Sequence, residues 1–141
     1  MRGFGLTILA ALLLLASVPA SAQGALAPPA IHEPFTVLPC PAHPSSTLAL
    51  EGCGEKALLR SDRAIDARAR RIFKLLQGVA RGTFVRSERA WLSYRRASCE
   101  AESSFYAGGS GQPLVYVQCE QGRNTTHLGD LAELLRTLSQ H

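Results

Sequence analysis

Residues 89–119 read RAWLSYRRASCEAESSFYAGGSGQPLVYVQC, and their reading decides the fold. Cys99 and Cys119 stand on either side of Gly108-Gly109-Ser110-Gly111. Before the turn, Phe84, Trp91, Tyr94, Ser98 and Phe105 fall on one face at about 100° per residue, which predicts a helix from about Thr83 to Tyr106. Beyond it, Leu114, Val117, Gln121, Asn124, Leu128, Leu131, Leu135 and Leu138 advance by alternating steps of three and four. That register predicts a single long helix, with Gly122–Asn124 as its weak point. The run Leu114–Val117 has strand propensity, but no other segment alternates to pair with it. A helical hairpin follows, with a turn at Ala107–Pro113. Cys99 and Cys119 each lie about two helical turns from that turn, facing each other across the two helices.

Whether two such thiols join depends on the compartment. Met1–Gly5 carries one arginine, an apolar run Leu6–Val18 follows, and Pro19 leads into Ala20-Ser21-Ala22. This is the pattern of a secretory signal peptide over residues 1–22, too short for a comfortable membrane anchor. The expectation is export to the periplasm or the medium, with no transmembrane anchor after cleavage. Cys40, Cys53, Cys99 and Cys119 all lie beyond the cut, and an even count in an exported chain predicts two disulfides. The spacings do not offer the close Cys-x-x-Cys pairs of a structural zinc site. Of three pairings, Cys99–Cys119 with Cys40–Cys53 is the one the hairpin favours. Closing a loop of about 20 residues stabilises by roughly 3 kcal/mol in the chain-entropy account.

Residues 23–46 hold Pro28, Pro29, Pro34, Pro39, Pro41 and Pro44, which predicts an extended leader, mobile up to Cys40. From Thr47 the period turns helical. Leu58, Ile65, Ala69, Ile72, Leu76 and Val79 form an apolar stripe opposite Arg60, Arg63, Arg70, Arg71 and Lys74. A first helix is expected from Thr47 to about Ala80, ended by Gly78 and Gly82. The fold class is therefore all-α: a small antiparallel three-helix arrangement over residues 47–141, stapled by two disulfides. Within it, Trp91 reads as a core anchor and Tyr94 as its neighbour on the same stripe. Arg95 turns partly inward, as does Asp62, and the two are expected to pair across helices because an inward arginine needs a carboxylate.

The run Ser87-Glu88-Arg89-Ala90-Trp91-Leu92-Ser93-Tyr94-Arg95-Arg96-Ala97-Ser98-Cys99, with Tyr106-Ala107-Gly108-Gly109-Ser110 and Pro113-Leu114-Val115-Tyr116 up to Cys119, resembles the signature of the LprI-like lysozyme-inhibitor family. Cys53 and Asp62-Arg63-Ala64-Ile65-Asp66 resemble that family's first helix. The likeness covers about residues 40–138, with departures at Asp66, Ala69 and His127. It implies a small exported helical domain whose partner is a lysozyme. The exposed tip, Tyr106, Gly108, Gly109, Ser110 and Gln112, is then the candidate partner-binding element, with hydroxyl, amide and backbone N–H donors for the carboxylate pair of a lysozyme cleft.

Charge argues for a local contact. Fifteen Lys and Arg stand against eleven Asp and Glu, a net charge of +4, and a cationic lysozyme would be repelled at long range. The rival class is a non-enzymatic envelope protein or binding module without lysozyme-inhibitory activity, using the basic face of the first helix. No cofactor, metal or catalytic residue is expected. His32, His43 and His141 lie outside the helices, no triad or paired-carboxylate pattern emerges, and no aromatic platform among the basic residues suggests nucleic acid.

Overall fold

The computed structural model describes residues 27–140, so the signal-peptide reading of residues 1–22 lies outside the described residues. Three helices follow a leader: α1 (Thr47–Leu75), α2 (Gly78–Ser104) and α3 (Gln112–Leu138). Among the described residues there is no strand and no helix long and apolar enough to cross a membrane. Ser46 caps α1 by accepting the Ala49 N–H at 3.2 Å, the donor a first turn leaves unpaired. Pro113 sits in the first turn of α3, where a missing N–H costs nothing. The segment Leu114–Val117 is helical and α3 is unbroken.

The boundary between α1 and α2 falls earlier than the sequence suggests. Leu76 and Gln77 are extended, and Gly78 opens α2 with φ +50° rather than closing α1. Val79, read as the last member of the α1 stripe, is 85 % exposed at the start of α2. The face of α2 also needs correcting. Phe84, Val85, Glu88, Arg95, Cys99 and Ser103 are buried, whereas Tyr94 is half-exposed and Phe105 is 89 % exposed. The inward stripe is rotated toward a set that includes an acid and an arginine, residues that hydrophobic periodicity does not score.

Contacts fix the directions. Gly54 meets Val117, Asp62 meets Asn124 and Arg68 meets Leu128, so α1 and α3 run the same way. Cys99 with Cys119, Arg95 with Asn124 and Glu88 with His127 oppose one another, so α2 runs against α3. The apolar core, Ile65, Ala69, Ile72, Phe84 and Leu131, occupies the end where α1 gives way to α2. Both expected disulfides are present, Cys40–Cys53 and Cys99–Cys119, with Cα atoms 4.6 and 5.5 Å apart.

From Ile31 on, the leader is held in place, whereas the proline content suggested mobility up to Cys40. It runs along the helices as a fourth element. The Ile31 N–H donates to Asp66 Oδ1 at 3.2 Å and the Leu38 N–H to Glu55 Oε2 at 2.6 Å, while Ile31 packs on the apolar core. Proline sets an extended course but not its destination. That is supplied by side-chain acceptors on α1. Gly52 admits the strap, because a Cβ there would lie 2.5 Å from the Pro39 carbonyl oxygen and 2.8 Å from that of Leu38.

Gly52→Ala should therefore lower stability by about 1–3 kcal/mol, the cost of overpacking against backbone. Gly129→Ala, with nothing within 4 Å of the added carbon, should be neutral or stabilising by up to about 1 kcal/mol. Thermal denaturation of the two variants checks this, and equal melting temperatures would contradict the close approach.

Candidate functional site

Midway along the bundle, Arg95 joins all four elements. Its Nη1 donates to Asp62 Oδ1 on α1 at 2.8 Å and to Asn124 Oδ1 on α3 at 2.9 Å. Nη2 donates to Glu33 Oε1 of the leader at 2.5 Å, and Nε lies 3.4 Å from Glu120 Oε1 on α3. Asn124 holds the frame by donating from Nδ2 to Ser61 Oγ and Asp62 Oδ1. The side chains of Arg95, Glu33, Asp62 and Glu120 are all at most 5 % exposed. Sequence reasoning brought Asp62 and Arg95 together but missed Glu33, Glu120 and Asn124. Of these, only Asn124 stands on the α3 register read from the sequence, as a polar residue among leucines; Glu120 lies one position off that register and Glu33 in a leader without one.

One cation faces three carboxylates here. Burial disfavours the Arg95 charge, but the carboxylates outweigh that and hold its pKa above the ordinary value. Burial likewise pushes Glu33 up against the pull of Arg95, and pushes Glu120 up to about 7. Glu120 Oε1 accepts from the Tyr116 hydroxyl at 3.0 Å, while Oε2, like Asp62 Oδ2, has no hydrogen-bond partner among the described residues. A protonated Glu120 relieves the excess of buried negative charge over the single buried guanidinium, which the more distant Arg96 offsets only in part at Glu33. The cluster is a structural clasp: its four charged side chains are at most 5 % exposed and are engaged with one another.

Below the clasp, His127 Nε2 lies 3.0 Å from Glu88 Oε2, both side chains buried, and its ring stacks on Trp91 at 3.8 Å between centroids, 12° from parallel. Trp91 is only partly buried and joins the edge of the core. Tyr94 stands on the outer surface, with the Arg123 guanidinium over its ring at 5.5 Å. Of the departures from the family pattern, Ala69 is core, Asp66 anchors the leader and His127 completes the Trp91 stack.

Above the clasp, the Cys99–Cys119 bridge supports the tip. Gly108 takes φ +79°, a backbone conformation that costs an ordinary side chain about 1 kcal/mol or more. The turn is closed by the Gly109 N–H donating to the Tyr106 carbonyl at 3.0 Å and the Gln112 N–H to that of Gly109 at 3.2 Å. Gly108, Gly109 and Ser110 are exposed, Tyr106 is 54 % exposed and Gln112 is partly covered. Phe105, which sequence reasoning turned inward, projects beside them because the buried face of α2 runs through Cys99 and Ser103, and Phe105 lies about 200° round the helix from Ser103. Among the described residues no group of three His, Cys, Asp or Glu is placed to hold a metal ion.

The clasp yields two expectations. Arg95→Ala should cost about 3–5 kcal/mol, since it leaves three buried carboxylates without their cation. Glu120 has its folded pKa raised above the unfolded value of 4.5, so its contribution is fully present below pH 4.5 and is lost as pH rises through about 7. Denaturation between pH 4.5 and 7 should show stability falling by up to roughly 1.4 kcal/mol per pH unit, and Glu120→Gln should flatten that slope. Stability that instead rises across this window would contradict the placement of the proton.

Comparison with curated proteins and with solved structures gave no match. A family model described as "Lysozyme inhibitor LprI" matches residues 40–131, from the first disulfide cysteine through the last buried leucine of the core. The match spans both disulfides, the clasp residues of all three helices and the intervening tip. The chain belongs to the LprI lysozyme-inhibitor family.

Proposed function

We propose that this protein is exported and blocks a lysozyme by inserting its α2–α3 tip into the enzyme's substrate cleft. Export is supported by the signal-peptide pattern of residues 1–22 and by two closed disulfides, which persist in oxidising compartments. Residues 47–141 form the inhibitory domain in this reading, with the described part of the leader, residues 27–46, strapped to it.

The observation that carries the reading is the tip itself. A narrow projection with Phe105, Tyr106 and three exposed small residues at its end stands on a disulfide-braced pair of helices. Bracing matters because a binding loop that is already ordered gives up little conformational entropy on association. Phe105 and Tyr106 supply the aromatic anchors that dominate many protein interfaces. The side chains of Ser110 and Gln112 supply donors for a cleft whose chemistry rests on carboxylates. Inhibition requires no catalytic group of the inhibitor's own, only occupancy of the cleft.

A turbidity assay of cell-wall lysis, run with a panel of lysozymes and the purified mature chain, tests this. Lysis should slow for at least one lysozyme. Phe105→Ala and Tyr106→Ala should each weaken inhibition tenfold or more, about 1.4 kcal/mol, with the Ser110→Ala/Gln112→Ala double variant also weaker and the melting temperature unchanged. No inhibition at micromolar excess would favour the envelope-binding module, with the exposed Arg60, Arg63, Arg70, Arg71 and Lys74 as its contact face.

A further inference from the structure

Beside the tip, a cavity of about 390 Å³ opens between the leader, the start of α1 and the hairpin. Phe35, Pro113 and Tyr116 make its apolar wall, and Glu51, Glu55 and Glu100 bring carboxylates to it. Glu55 is 3 % exposed. One of its oxygens accepts the Leu38 N–H at 2.6 Å. Its other oxygen has no hydrogen bond among the described residues. None of the three carboxylates has a cationic group within 4.0 Å among the described residues. A buried carboxylate is ordinarily paired with a cation. Burial, and then the charge of Glu55, push the Glu51 pKa up, the mark of acids crowded without a counter-charge.

We propose that this cavity receives an arginine or lysine side chain of the protein partner, seated next to the tip. The partner's identity as a lysozyme rests on the reading above; the cavity's preference for a long organic cation does not. The methylene stem lies along Phe35 and Pro113, the head meets the free Glu55 oxygen with Glu51 and Glu100, and the aromatic faces of Phe35 and Tyr116 add cation–π attraction. A bare metal ion would leave the apolar wall unused, and the carboxylates do not converge as a metal-binding set. The cavity also answers the charge problem. A chain of net charge +4 attracts a cationic partner only where its surface is locally acidic, and this acidic pocket shares Gln112 and Pro113 with the tip.

The test uses the mature chain and two blocked tripeptides, Gly-Arg-Gly and its uncharged analogue Gly-citrulline-Gly, followed by NMR. The arginine peptide should saturably shift the resonances of Phe35, Glu55 and Tyr116, and the citrulline peptide should bind at least tenfold more weakly. The double variant Glu51→Gln/Glu100→Gln, whose side chains are outside the core, should keep the wild-type melting temperature. It should lose tenfold or more in both arginine-peptide binding and any lysozyme inhibition. Equal binding of the two peptides, or undiminished binding by the double variant, overturns the cation pocket. If the arginine peptide binds as stated while no lysozyme is inhibited by the wild type, the pocket stands and the lysozyme reading falls. If lysozyme inhibition persists unchanged in the double variant, the pocket falls and the tip reading stands.

Discussion

A single guanidinium organises this domain. Arg95 reaches the leader through Glu33, α1 through Asp62 and α3 through Asn124 and Glu120, while belonging itself to α2. Buried ion pairs are weak evidence of net stability, because desolvation offsets much of the attraction. They are stronger as devices of specification. Three helices whose apolar positions are mostly leucine, isoleucine and alanine could slide by a turn at little cost to the core. A shift of one turn here would leave three carboxylates in the interior with no cation. Register is thereby fixed at the point where all four elements meet.

Around that point the molecule is graded along its length. Apolar side chains fill the end near the α1–α2 junction, polar side chains the middle, and a disulfide rather than a core holds the hairpin end. The grading has a physical logic. A domain of this size has a limited core, and the part that must project cannot contribute to it. The Cys99–Cys119 bridge replaces the missing burial beneath the tip, and Cys40–Cys53 pins the strap beside the cavity, where Gly52 lets two backbones approach. Rigidity and exposure are thus reconciled at one end.

The sequence reveals those parts of this arrangement that depend on spacing. Cysteines two turns either side of a glycine turn, and leucines at three- and four-residue steps through α3, give the hairpin and its staple. The inward tilt of Asp62 and Arg95 gives one pair of the clasp. What escapes is set by long-range contact. Glu33 lies in a proline-rich stretch with no period of its own, and the leader shows itself structural only through long-range contacts such as Glu33 with Arg95, Ile31 with Asp66 and Leu38 with Glu55. Taking the apolar stripe as the buried face of α2 turns Phe105 inward, whereas that face runs through Glu88, Arg95, Cys99 and Ser103 and leaves Phe105 outside. Glu55, Glu51 and Glu100 come from different turns and helices, and no motif joins them.

We propose that the hairpin end, with its braced tip and acidic cavity, is the face that meets a lysozyme. Hydrogen–deuterium exchange of the mature chain, alone and with excess of a lysozyme it inhibits, tests that claim most directly. Slowed exchange confined to residues 103–116 and to the 35–38 and 51–55 segments is the predicted result. Protection centred on the arginine-rich face of α1 at residues 60–74, with the hairpin end unchanged, would contradict it.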